Sequence, residues 1–364
     1  TPYNYWGDDD GDGQGVNGVT ATGSLNLSIV DRWGRAVARN EVLTICKAPY
    51  RLTLSNNGGR LTTRYGVPNE SRFSASNVTY YINPKAAPVI CFAKPYMQYG
   101  GSGSYDESYA GPADIWNLNM GFLPQSVTPS SYGLNFPTTG ANNLQFYLDI
   151  GGISQALSWA SVSHDKITAT MTNVEYHAGS VRVTLTGPVA KESQWYSNNP
   201  GRIDRPSLPQ VFELVGRDSS GNAVVKYGFK LKQWFVSGGF FIQTFSGTSW
   251  CNKIGYRLPK VKDLTNASCP GEEERCRGAV GATPSSPRNK YMRHIGAGLF
   301  SEWGDTNTGY DSAYLYNSRF WTQDSVGSSQ NFVVRSDRGE VELYNNKSNT
   351  PSVDLHAGVA CVYP

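Results

Sequence analysis

Trp250–Leu264 reads WCNKIGYRLPKVKDL, and its parsing decides how the last third of the chain is built. A cysteine comes first, then a Gly-Tyr-Arg-Leu-Pro turn, then a short amphipathic segment. Proline restricts the residue before it to extended backbone, so Leu258 is expected to be extended, with short helices over Phe240–Cys251 and Val261–Leu264 on either side. Further on come Ser318–Ser325 (SRFWTQDS), a strand at Asn331–Ser336 (NFVVRS), a turn at Asp337-Arg338-Gly339, a strand EVELY and the ending AGVACVYP. Short helices first and antiparallel strands afterwards predict an α+β module over 239–364.

Upstream of Gly239 the texture is strand and turn. Leu25, Leu27 and Ile29 alternate with Asn26 and Ser28, and Asp31–Arg35 turns the chain into Ala36–Ala38, a hairpin pattern. Further strands are expected at Val42–Cys46, Arg51–Ser55, Val78–Ile82, Val89–Phe92, Leu144–Ile150 and Ile167–Thr172. Ser180–Pro188 (SVRVTLTGP) puts Val181, Val183 and Leu185 on one face and Arg182, Thr184 and Thr186 on the other, so it should be half-buried. Val211–Val236 reads as two or three strands around the Asp218–Asn222 turn. The Gly-, Ser- and Tyr-rich stretch Tyr96–Ser131 is expected to be a linker or long surface loop, and Gly, Ser and Tyr together also offer contact chemistry. These signals predict one β-sandwich over 1–125, with an Asp/Gly-rich tail, and a second over 126–238. Three domains suit 364 residues at roughly 100 to 200 residues each.

Composition narrows the function. Charged residues make up 17% against 39 Gly and 22 Tyr, a balance typical of secreted all-β modules. The net charge is +3, and no compact Lys/Arg cluster occurs, which disfavours nucleic acid as a partner. No apolar run approaches the roughly 18 residues needed to cross a bilayer. The chain begins at Thr1 and is therefore expected to be a processed product or excised fragment, with any membrane anchor or export signal outside it. Asp8, Asp10 and Asp12 before Gly13 copy the opening of a calcium loop, but Val19 stands where the closing Glu belongs, so a solvated acidic terminus is the favoured reading.

Six cysteines, Cys46, Cys91, Cys251, Cys269, Cys276 and Cys361, contain no Cys-x-x-Cys pair, and the four histidines are scattered. Disulfides in an oxidising compartment are the expectation, not a zinc ribbon or redox motif. Cys46 and Cys91 both fall on expected strands, and pairing them would staple the two sheets of a sandwich.

Cys251 followed by Gly-Tyr-Arg-Leu-Pro and Val-Lys-Asp-Leu, then Phe320-Trp321-Thr322, a strand pair and Val359-Ala360-Cys361-Val362, resembles the C-type lectin-like domain that caps intimin/invasin-type bacterial surface adhesins. The resemblance implies a mainly β chain in which two immunoglobulin-like sandwiches precede the lectin-like domain. It also implies a Cys251–Cys361 bridge, which leaves Cys269 and Cys276 to pair locally. Function follows from it as attachment to a host-cell surface protein or glycan, with virulence and a secreted or outer-membrane-attached location. Calcium-dependent sugar binding is not implied, because the Glu-Pro-Asn, Gln-Pro-Asp and Trp-Asn-Asp triplets of animal lectins are missing. Phe300–Trp321 occupies the place of the family's variable long loop. Within it Trp303, Asp305, Asn307, Tyr310, Asp311, Tyr314, Tyr316 and Arg319 are the candidate ligand contacts, since Trp, Tyr and Arg dominate interface hot spots. Phe320 and Trp321 match the family's buried pair instead.

A catalytic reading lacks its parts. There is no Gly-x-Ser-x-Gly, His-Glu-x-x-His or phosphate-binding loop motif. Glu272–Glu274 reads as a solvated run, and His294 and His356 stand singly. No enzyme and no cofactor is expected. The alternatives are a secreted carbohydrate-active or modifying enzyme with β accessory modules, and a secreted factor that binds another bacterial surface protein.

Overall fold

A computed structural model describes residues 20–63, 67–96, 98–101, 106–175, 179–241, 244–269, 273–306, 315, 318–328, 330–345 and 357–364. The chain divides into two units, Thr1–Ala87 and Pro88–Pro364.

In the first unit Leu25–Val30, Tyr50–Asn56 and Ser76–Ile82 form one antiparallel sheet, and Thr20–Ala21, Gly59–Thr62 and Glu70–Phe73 form another. Tyr50 is fully buried, and its hydroxyl accepts from the Thr44 N–H at 2.8 Å and donates to the Thr44 carbonyl at 3.1 Å. Those backbone groups need no strand partner, so the expected strand Val42–Cys46 does not form. Cys46 lies instead on a 3-10 turn, Ile45–Lys47. Cys91 lies on Val89–Lys94, in the second unit. The two cysteines therefore do not sit on strands of one sandwich, although both are disulfide-bonded.

The boundary expected after residue 125 falls at Ala87 instead. Val89–Lys94 pairs antiparallel with Gln145–Gly151, with Ile90 opposite Ile150 and Ala93 opposite Leu148. Alternation marks a strand without naming its partner, and here the partner lies downstream. The stretch 96–131 is also not a surface loop: Tyr109, Trp116 and Phe122 are buried, and Trp116 meets Phe122 edge-on at 4.7 Å. Its Gly and Ser suggested a turn, yet its aromatics supply too much apolar area to leave in water, roughly 150–250 Å² each.

Those strands belong to a seven-stranded sheet in the order Val162–His164, Ile167–Asn173, Ser180–Thr186, Gln145–Gly151, Val89–Lys94, Gly121–Phe122 and Trp116–Asn117. Facing it is a three-stranded sheet of Ser158–Trp159, Gln210–Arg217 and Ala223–Leu231. Val181, Val183 and Leu185 are buried while Arg182 is exposed, the alternation anticipated from the sequence. Phe146, Leu148, Phe212 and Phe229 fill the space between the sheets, with the Phe212 and Phe229 rings stacked at 5.1 Å. Each such side chain stabilises the fold by about 1.5–3 kcal/mol on burial.

The C-terminal sheet has six strands in the order Thr139–Ala141, Gln233–Phe241, Ala357–Tyr363, Arg319–Val326, Gln330–Arg335 and Val341–Asn345. Two of these correct the expected division at residue 238. Gln233–Phe241 runs across it and pairs with Ala357–Tyr363, and Thr139–Ala141 leaves the sandwich region to pair in parallel with Gln233–Phe241. Phe240 and Phe241 therefore end a strand, and the helix is Thr244–Ile254. The short helix Val261–Leu264 forms as expected.

Candidate functional site

The opening motif is the frame of the C-terminal module. Gly255, at φ +91°, ends the helix Thr244–Ile254, a backbone conformation that favours glycine. Arg257 then exchanges backbone hydrogen bonds with Val362 in the last strand, at 3.1 and 2.8 Å. Leu258 is buried, and Asp263 gathers the turn: its carboxylate accepts from Arg257 Nη1 at 2.6 Å, Lys260 N at 2.7 Å and Gln233 Nε2 at 2.9 Å. Burial pushes this carboxyl up, but the hydrogen bonds from Arg257, Gln233 and Lys260 outweigh burial and hold it below the usual carboxylate range. Cys251 and Cys361 are bonded with Cα atoms 5.5 Å apart, and Cys269 is bonded to Cys276 at a sequence separation of 7.

Two buried charges fasten this module to the sandwich, and sequence reasoning missed both. Glu302, on the short helix Leu299–Trp303, is fully buried. Its Oε1 accepts from Thr138 Oγ1 at 2.8 Å and Gly296 N at 2.8 Å, and its Oε2 from Thr139 N at 2.9 Å and Thr139 Oγ1 at 2.6 Å. Thr138 N adds a bond to Oε1 at 3.0 Å. Burial pushes the Glu302 carboxyl up, opposed by these donors. Arg293, also fully buried, donates to the carbonyls of Tyr96 at 2.9 Å, Gln98 at 3.0 Å, Tyr99 at 3.2 Å and Glu302 at 3.0 Å, with Trp116 stacked at 4.9 Å. A planar guanidinium with five donors suits this ring of carbonyls. Gly304, at φ +81°, makes room for it, since a Cβ there would stand 2.0 Å from Arg293 Nη2. The sequence marks neither charge as buried; the one available signal is that both lie among aromatics, Tyr291 and Trp303.

The candidate contact residues divide. Trp303 is fully buried; its Nε1 donates to the Thr139 carbonyl at 3.1 Å and its ring meets Phe136 at 4.9 Å. It is a core residue rather than a surface contact, because the amphipathic indole finds its acceptors, the Thr139 carbonyl and Oγ1, inside the seam. Asp305 is buried as well, which corrects its expected role at the surface. Arg319 is half-buried and pairs with Glu342 at 2.7 Å. Asn307, Tyr310, Asp311, Tyr314 and Tyr316 lie outside the described residues, as do Asp8, Asp10 and Asp12. Of the same stretch, the described residues Thr306 and Leu315 are both buried. No group of three or more metal-ligating side chains occurs among the described residues.

Sandwich sheets followed by an α+β module closed by a disulfide make this a mainly β chain. In sequence it is similar to the inverse autotransporter adhesin YeeJ of Escherichia coli strain K12, at 25% identity over 159 residues, 41% of this chain. The chain spans 6% of the length of that relative. Solved structures with similarity include invasin, described as a bacterial integrin-binding protein (TM-score 0.42, 12% identity, 96% of this chain and 51% of that one). A C-terminal fragment of intimin in complex with the intimin-binding domain of the translocated intimin receptor also matches (TM-score 0.37, 13% identity, 95% and 88%). No family model matches the chain.

Proposed function

We propose that this chain is part of a non-enzymatic bacterial adhesin, displayed outside the cell or at the outer-membrane surface, which attaches to a host-cell surface protein through its C-terminal module. The observation that carries the reading is the sequence likeness to an adhesin of the inverse autotransporter type. The seam built by Glu302 and Arg293 supports the choice of module, because a recognition surface gains affinity when its frame is ordered before binding. The contact residues proposed are Asn307, Tyr310, Asp311, Tyr314 and Tyr316, with Arg319 at the edge; Trp303 and Asp305 are withdrawn to the interior.

Beads coated with the full chain provide the test. Attachment to cultured epithelial cells is expected, with loss after trypsin treatment of the cells and retention after glycosidase treatment. Loss with glycosidase alone would transfer the reading to a glycan, and no attachment to any host cell, together with aggregation of bacteria displaying the chain, would favour a bacterial surface partner.

A further inference from the structure

A cleft of 620 Å³ opens on residues 187–204, a segment that hydrogen-bonds to the helix Thr244–Ile254. It lies within the roughly 300–1,000 Å³ range of small-molecule sites. Pro188, Val189 and Ile203 give it apolar surface, and Lys166, Lys191 and Arg202 surround that surface with three cations against the single carboxylate of Asp204. Asp204 engages Lys166 loosely, at 3.6 Å with both side chains exposed, so the cleft carries a net positive charge.

Its walls are fixed from behind. Asp165, at φ +49° in the tight hairpin that presents Lys166, accepts from Ser207 N at 2.8 Å and ties that hairpin to the segment carrying Arg202 and Asp204. Gln194 accepts from Lys191 N and donates to the Pro200 carbonyl, each at 2.8 Å, and its own carbonyl receives Trp250 Nε1 at 2.9 Å. Ile203 N donates to Ile254 O at 3.0 Å, and the Tyr256 hydroxyl donates to Asp204 O at 2.7 Å. The frame is thus set before any ligand arrives, while the cationic side chains stay in solvent.

We propose that this cleft binds a carboxylate-bearing saccharide. An inorganic anion would need the cations alone. A sugar acid also uses the Pro188, Val189 and Ile203 surface, on which the C–H face of a pyranose ring can lie while its carboxylate is held by Lys191 and Arg202. None of the residues lining the cleft is among the contact residues proposed above, and the inference does not depend on the host partner.

The test is calorimetric titration of the full chain, at low and at physiological salt, with N-acetylneuraminic acid, its methyl ester and sodium sulfate. The free acid is expected to bind, with the ester and sulfate each weaker by at least about tenfold, and the free acid's affinity should fall with added salt as an ion pair at an open site requires. The double variant Lys191→Glu/Arg202→Glu should lose binding without a change in melting temperature, since both side chains are exposed. Equal binding of acid and ester, equal binding of sulfate, retention of binding in the double variant, or no binding of the acid would each overturn the proposal.

Discussion

Asp263 shows how one side chain organises the turn that defines the C-terminal module. Its folded carboxyl is held below its ordinary value, so the stability it contributes is intact above the unfolded value of about 3.9 and is lost as pH falls through the folded one. Asp263→Asn should therefore be less stable than the parent at pH 7, and the difference should shrink as the pH falls below the unfolded value of about 3.9 in acid-titration denaturation curves. Trp303→Ala should cost about 3–5 kcal/mol in urea denaturation, because it empties a packed site and orphans the Thr139 carbonyl; a change under roughly 1 kcal/mol would return Trp303 to the surface. Glu302→Ala, which strands several buried donors, should cost on the order of 3 kcal/mol. Neither Glu302 nor Arg293 was legible in the sequence. Thr138 and Glu302 are 164 residues apart, and a charge's burial depends on donors that only the fold delivers. Trp303 was legible as an amphipathic aromatic, but such a residue serves an interface and a core equally well.

Single elements were read with more success where the local pattern is self-sufficient. Ser180–Thr186 alternates because one face of its sheet is packed, and nothing distant is needed to see it. Val261–Leu264 follows from the proline turn in the same way. Elements that cross between modules were misassigned. Val89–Lys94 and Gln233–Phe241 carry strand signals, but their partners, Gln145–Gly151 and Ala357–Tyr363, are set by topology. The Gly and Ser of the stretch after Tyr96 carry a loop signal, but the core recruits its Tyr109, Trp116 and Phe122. The Cys251–Cys361 bridge came from the family resemblance, and its separation of 110 residues makes it the costlier of the two described bridges to remove. In the chain-entropy model the Cys251→Ser/Cys361→Ser protein should lose roughly 4–5 kcal/mol, against about 2.4 kcal/mol for Cys269→Ser/Cys276→Ser, as read from denaturant midpoints. Equal losses would show that unfolded-state loop closure is not what the long bridge controls.

At the scale of the molecule, the second unit joins a sandwich to an α+β module through a shared strand, a buried carboxylate and a buried guanidinium. Such a seam resists relative motion of the two parts, and Thr306 and Leu315 are both buried within the C-terminal module. Composition and the strand patterns foretold the mainly β class and the α+β ending; the adhesive reading rests on the likeness to YeeJ. The most direct measurement is host-cell attachment of beads carrying the full chain or its Tyr310→Ala/Tyr314→Ala variant, with melting temperature recorded for both. Attachment of the variant should fall by at least about tenfold, the scale of a lost hot spot, with the melting temperature unchanged. Undiminished attachment by a variant that remains folded would contradict it.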